Sequence, residues 1–188
     1  MKTVNQQSLT SLLAGMMFDP TGLSELVVTA ITLDSRQVKA GGLFVSLAKQ
    51  LKLRQQYLQD ALDLGAAVVL FDAEQSLTEQ EQSALQNENV SAYAIKNLAD
   101  KSGEIAARFY GHPSMELTVI AVTGTNGKTS VSQFIAQALA SIDLACGVIG
   151  TLGVGRVDNM TATGMTTPDP ISVQAMLAAF CQQDVPYV

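Results

Sequence analysis

The sequence predicts an α/β protein in two domains, and three observations carry that prediction. Short apolar stretches rich in β-branched residues alternate with stretches of helical periodicity as far as Gly111. The segment "YGHPSMELT" (110–118) then interrupts the pattern with the turn formers Gly111, Pro113 and Ser114. A fresh strand–glycine loop–helix pattern opens behind it, in "LTVIAVTGTNGKTSVSQFIAQAL" (117–139). The expected division is therefore 1–111 and 112–188.

Within the first domain, residues 5–17 have helical spacing, with Leu9, Leu12, Leu13, Met16 and Met17 on one side. "LVVTAITLDSR" reads as β-rich chain broken at Asp34-Ser35, and "GGLFVSLA" as a two-glycine turn entering a short strand. "YLQDALDLGAAVVLFD" predicts a helix stopped near Gly65 and a buried strand over 67–71. "LTEQEQSALQNENV", "SAYAI" and "LADKSGEIAARFYG" predict a polar helix, a strand and an amphipathic helix ending near Gly111. In the second domain the expected elements are a strand up to Gly124 and a helix after it. A strand at "LACGVIGTLGV", a loop "GRVDNMTATGMTTPDP", a helix over 171–182 and a strand beginning at "DVPYV" follow. So short a second domain opens a βαβ unit without enough strands to close a sheet.

The 188 residues are 47% hydrophobic and 15% charged, so a buried core is expected and disorder is not. A formal charge of −6 argues against a generic grip on nucleic acid or anionic membrane, which needs a basic surface. No apolar run approaches the ~20 residues of a membrane span. The N-terminus has neither a long apolar core nor a small-residue cleavage site, so no signal peptide is read there and a cytoplasmic location is expected. Cys146 and Cys181 have no metal-ligand spacing, and the lone His112 has no second histidine to share a metal with.

The loop Gly124-Thr125-Asn126-Gly127-Lys128-Thr129-Ser130 carries the functional signal. Tight glycine turns let backbone N–H groups converge on phosphate oxygens, and the following helix adds the positive end of its dipole. Lys128 is placed to reach β- and γ-phosphates, and the Thr129 hydroxyl suits Mg²⁺. The spacing departs from G-x-x-x-x-G-K-[ST], because Val122 stands where the first glycine would be. The strand before and the helix after supply the confirming context, and the expected ligand is the phosphate chain of ATP or GTP.

"TGTNGKT" after an apolar strand resembles the Mur ligase family and its relative folylpolyglutamate synthetase. "TLDSRQVKAGGLFVSL" (32–47), "ARFYGHPSMELTVIAVTGTNGKTS" (107–130) and "GMTTPDP" (164–170) narrow the likeness to members that act on uridine-linked muramoyl peptides. The resemblance implies an N-terminal uridine-nucleotide-binding α/β domain followed by the start of a P-loop ATPase domain. It also implies an ATP- and Mg²⁺-dependent ligase of peptidoglycan precursor synthesis, which adds meso-diaminopimelate or L-lysine to UDP-MurNAc-L-Ala-D-Glu through an acyl phosphate. Its partners would be small molecules, the UDP-MurNAc-dipeptide and the diamino acid. By position, Gly124 to Ser130 would hold ATP, with Lys128 and Thr129 catalytic and Thr129 on the metal. Leu33, Ser35, Gln50, Leu51, Lys52, Met165, Thr166 and Thr167 would meet the substrate.

Ordinary structural roles compete with several of these assignments. Asp34-Ser35-Arg36 also reads as an Asx-type turn with a surface ion pair, and "TTPDP" as a helix start capped by Thr167. Where the family has an Asp-Gly turn this chain has Leu53 and Arg54, so Lys49, Lys52 and Arg54 either attract a diphosphate or form a solvated helix face. The family's modified lysine, a further acidic residue and a C-terminal domain would lie beyond "DVPYV", so a fragment without turnover of its own is expected. The ligase that adds D-Ala-D-Ala and a non-catalytic nucleotide-binding module are the alternatives.

Overall fold

A computed structural model describes residues 6–16, 23, 25–164 and 167–188. It divides into two compact units, Met1–Phe109 and Tyr110–Val188.

The first unit is built on a four-stranded parallel sheet. Its strands β3 (Ile31–Thr32), β4 (Leu43–Ser46), β5 (Val68–Asp72) and β6 (Ser91–Ile95) lie side by side in chain order. The register aligns Ile31 with Leu43, Leu43 with Val68 and Val68 with Ser91. Parallel strands need crossovers, which here are α2 (Leu51–Asp63) between β4 and β5 and α3 (Glu79–Asn87) between β5 and β6. Helix α4 (Leu98–Phe109) follows β6. Ahead of the sheet, β1 (Gln7–Ser8) pairs antiparallel with β2 (Val27–Val28) and runs directly into α1 (Leu9–Leu13), which packs on α4.

Side-chain pattern explains these elements. All four residues of β4 are buried, as expected for a central parallel strand. Helix α2 buries Arg54, Leu58, Ala61 and Leu62, a stripe at i, i+4, i+7 and i+8, and ends before Gly65, whose φ of +83° reverses the chain. Leu58, Ala61 and Leu62 join Val38, Phe44, Ala66, Val69 and Leu85 in one core cluster. Helix α3 starts with a capping box, in which Thr78 accepts from the Glu81 N–H while the Glu81 carboxylate accepts from the Thr78 N–H.

The N-terminal helix is shorter than its periodicity predicts. Gln7 and Ser8 are drawn into pairing with Val27 and Val28, and Ser8 caps α1, whose helical span is Leu9–Leu13. Met16 lies in the turn after it, and Met17 falls outside the described residues.

In the second unit, α5 (Lys128–Ala140) and α6 (Pro170–Gln182) flank a meander of β7 (Gly147–Gly150), β8 (Gly153–Arg156) and β9 (Asn159–Thr161). The single strand expected over 144–154 is therefore two, and a third rises from the stretch expected to be loop. Glycine decides this: Gly153 and Gly155 have φ of +126° and +142°, values closed to most side chains, and they let the chain reverse and lie close to β9. The segment before Gly124 forms no regular strand among the described residues. It is extended and pairs over a short length only, with Thr118 N–H donating to Pro186 (2.8 Å), Val188 N–H to Thr118 (3.1 Å) and Ile120 N–H to Val188 (2.8 Å). Tyr187 bridges in parallel to both Thr118 and Cys146, so the expected strand at "DVPYV" sits between the two as a single bridge position.

Candidate nucleotide site

Gly124 has φ of +141° and Gly127 φ of +81°, and Gly127 is the residue at which α5 begins. No side chain caps this 13-residue helix, so its first N–H groups face the loop without intrahelical acceptors. Nothing lies within 4 Å of where a Cβ on Gly127 would stand, leaving open space above the turn. Lys128 folds back over the loop, its Nζ donating to the Gly124 carbonyl at 2.6 Å and to Thr125 at 3.4 Å. Gly124 to Lys128 and Ser130 are exposed and Thr129 is half-buried. An ammonium, a hydroxyl and free N–H groups around an open turn are the donor set that phosphate oxygens require. Among the described residues no group of His, Cys, Asp and Glu could itself hold a metal, so a cation here would draw most of its oxygens from the phosphates and from water.

Of the second unit's other expected contacts, Thr167 is exposed, while Met165 and Thr166 lie outside the described residues. The cap of α6 is Asp169 and not Thr167: Asp169 accepts from the N–H groups of Ile171 (2.9 Å) and Ser172 (3.0 Å), and Pro170 takes the first helical position. A carboxylate fits that place better than a hydroxyl, because it also complements the helix dipole. Asp169 adds to the upward pull of burial on the Tyr110 hydroxyl pKa. His112 adopts a left-handed backbone (φ +54°) at the start of the turn Pro113–Met115.

In the first unit the expected substrate residues stand at the C-terminal edge of the parallel sheet, where such sheets take ligands. Leu33 and Asp34 leave β3 and lead into the 3-10 turn Ser35–Gln37. Asp34 holds Arg36 by a two-pronged ion pair, both contacts 2.9 Å, and accepts from Gln37 at 3.0 Å. The Arg36 guanidinium, partly opposed by burial, lowers the Asp34 pKa to about 2. Ser35 is buried and its hydroxyl donates to Asp60 of α2 at 3.3 Å. The Asx-type turn with a surface ion pair is thus present, with Leu33 half-buried beside it.

Gln50, Leu51 and Lys52 form the exposed start of α2, Gln50 being its first cap residue without a side-chain hydrogen bond. Arg54 corrects the basic-face expectation. Its side chain is 8% exposed and clamps Glu81, itself 1% exposed, through Nε–Oε1 at 2.6 Å and Nη2–Oε2 at 2.7 Å. Further bonds run to Gln75 Oε1 (3.0 Å) and the Ser76 carbonyl (3.1 Å). Burial pushes the Glu81 carboxyl up, but bonds from Arg54 and Thr78 outweigh it and hold the pKa low. Arg54 therefore cannot serve as a free cation for a diphosphate, whereas Lys49 and Lys52 remain exposed. The sequence signal for this clamp was an arginine at the start of a helix stripe whose other members are apolar.

Residues 122–188 match the family described as the Mur ligase middle domain. The chain is 42% identical over 163 residues to the UDP-N-acetylmuramoyl-L-alanyl-D-glutamate–2,6-diaminopimelate ligase of Ectopseudomonas mendocina, covering 87% of this chain and 32% of that protein. It is 41% identical over 160 residues to the ligase of the same name from Coxiella burnetii, covering 85% and 32%. A solved structure of a UDP-N-acetylmuramoyl-L-alanyl-D-glutamate–2,6-diaminopimelate ligase aligns with a TM-score of 0.76 at 26% identity, over 97% of this chain and 35% of that one. A D-alanyl-D-alanyl-adding ligase from Acinetobacter baumannii aligns with a TM-score of 0.56 at 15% identity, over 95% and 34%, and shares the fold. The chain spans about a third of the length of the curated relatives it matches.

Proposed function

For a chain that belongs to the Mur ligase family, we propose the part played by its two units in an ATP-dependent ligase that adds a diamino acid to UDP-MurNAc-L-Ala-D-Glu. The observation that carries the proposal is the open glycine turn at the uncapped start of α5, with Lys128 over it. The relatives are 2,6-diaminopimelate ligases by name, which favours that amine over L-lysine. The second unit takes ATP and Mg²⁺ at Gly124 to Ser130, and the first takes the uridine-linked substrate at the sheet edge bearing Leu33, Ser35, Gln50, Leu51 and Lys52. The same reading assigns Met165, Thr166 and Thr167, which precede α6 in the sequence, to substrate contact. All the partners are small molecules, and the setting is the cytoplasm. Among the described residues no helix is long and apolar enough to cross a membrane.

The chemistry follows from the groups present. A carboxylate resists attack by an amine, so its oxygen first takes the γ-phosphoryl group of ATP, with ADP leaving. The amine then adds to the acyl carbon, loses a proton, and inorganic phosphate departs. Lys128 leaves its contact with the Gly124 carbonyl and neutralises charge on the transferring phosphoryl group. The N–H groups at the start of α5 would hold the β-phosphate, and the Thr129 hydroxyl would hold Mg²⁺, which would supply a further positive charge to the phosphates.

Calorimetric titration with ATP·Mg²⁺ tests the reading. The unsubstituted chain is expected to bind and Lys128→Ala to lose at least tenfold in affinity, the cost of roughly one charge-assisted contact. Separate titration with UDP-MurNAc-L-Ala-D-Glu is expected to be unaffected by Lys128→Ala. Equal ATP affinity in the two proteins would remove the glycine turn from the nucleotide site.

A further inference from the structure

We infer that the Arg54–Glu81 clamp is a positioning device for uridine-nucleotide binding, and that it does for this chain what a side-chain cap would otherwise do. The inference rests on the reading of the first unit given above.

At the sheet edge to which the substrate is assigned, α2 starts without a side-chain cap, whereas Asp34 caps the Ser35 turn and Thr78 caps α3. Gln50 provides no side-chain cap, and Lys49 to Leu53 are all exposed. An uncapped first turn frays, because its N–H groups have no acceptors to retain them. Arg54 counters this twice. Its backbone N–H donates to the Gln50 carbonyl at 2.9 Å, closing the first turn. Its guanidinium then ties that turn to Gln75 and Ser76, which lie between β5 and α3, and to Glu81 in the first turn of α3.

Glu81 is the node of the arrangement. Its Oε2 accepts from Arg54 (2.7 Å) and from the Thr78 N–H (2.8 Å) and hydroxyl (2.9 Å), so one carboxylate holds the N-termini of both α2 and α3. Both helices start at the C-terminal edge of the parallel sheet, the edge that also carries Leu33 and Ser35. A fully bonded and buried fork is rigid, whereas the exposed Gln50, Leu51 and Lys52 make no comparable contact. Arg54 does not touch the nucleotide. It fixes the turn that does, and so removes the ordering cost that binding would otherwise meet.

The test uses Arg54→Met combined with Glu81→Gln. Glutamine keeps the capping box of α3, and no unpaired charge is left in the interior. Arg54→Lys serves as a second variant, which retains charge but loses the fork. Thermal unfolding establishes that each is folded. Amide hydrogen exchange over 54–57 and calorimetric binding of uridine diphosphate are then measured. The expected result is faster exchange at 54–57 in the double variant, with exchange in β5 unchanged, and uridine diphosphate affinity down about tenfold; Arg54→Lys falls between. Unchanged exchange at 54–57, or faster exchange with unchanged affinity, overturns the positioning role. Absence of uridine diphosphate binding by the folded, unsubstituted chain overturns the nucleotide assignment of the first unit itself, and is seen before any variant is made.

Discussion

At the scale of single residues, Asp34 shows how a local motif acquires a measurable property. Four donors converge on its carboxylate, and its folded pKa of about 2 lies below the ordinary 3.8. A depressed folded pKa contributes stability that is present above the unfolded value and is lost as pH falls through the folded one. The difference in melting temperature between the unsubstituted chain and Asp34→Asn is therefore expected to be positive at pH 5 and to shrink toward zero between pH 4 and 2. The pair is solvent-facing, with the Arg36 side chain 82% exposed, so the difference is small and falls further with added salt. A difference that is independent of pH would show that the Arg36 contact contributes nothing.

At the scale of elements, glycine placement decides what hydrophobic pattern leaves open. The apolar run "LACGVIGTLGV" has no alternation to mark its reversal at Thr151 and Leu152, and the meander rests on Gly153 and Gly155. A Cβ on Gly153 would fall on the Thr161 carbonyl, and one on Gly155 on that of Asn159. Gly153→Ala is expected to destabilise the second unit by about 2 kcal/mol or more, from backbone strain and overpacking together. Urea unfolding followed by a probe in that unit checks this; a loss below ~0.5 kcal/mol would show that β8 and β9 part easily. The same reasoning explains the shortened N-terminal helix. Periodicity was right about which residues are buried, Leu9, Leu12 and Leu13, but strand pairing at Gln7 and Ser8 took the residues that would have extended the helix.

At the scale of the whole molecule, each unit buries a core of its own and leaves some apolar residues exposed. The first has a continuous core on its parallel sheet. In the second, Val131 and Phe134 lie one turn apart on α5 and are 45% and 66% exposed, and Ile142 and Leu152 are also open. Residues 1–109 produced alone are expected to unfold cooperatively, with a helix content matching α1 to α4. Circular dichroism with thermal unfolding checks this, and a non-cooperative transition would contradict the division at Phe109. Binding of a hydrophobic dye by the 188-residue chain is expected to fall in Val131→Gln combined with Phe134→Gln, whereas equal dye binding would place the exposed apolar surface elsewhere.

The sequence by itself determined the alternating order of elements, the interruption near Gly111 and the glycine turn before α5, because periodicity, turn residues and cap spacing are local properties of the chain. The likeness to Mur ligases is likewise carried by sequence, with 42% identity over 163 residues to one relative and a match to the Mur ligase middle domain over 122–188. Only the tertiary structure decided that Arg54 is a buried clamp and not a basic face, that Ser35 turns its hydroxyl onto Asp60, and that Tyr187 stands between Thr118 and Cys146. Each of these joins residues 25 or more positions apart, or a strand to one of two equally apolar neighbours. Charge and hydropathy read along the chain say that a residue needs a partner, and the fold alone says which one is within hydrogen-bonding reach.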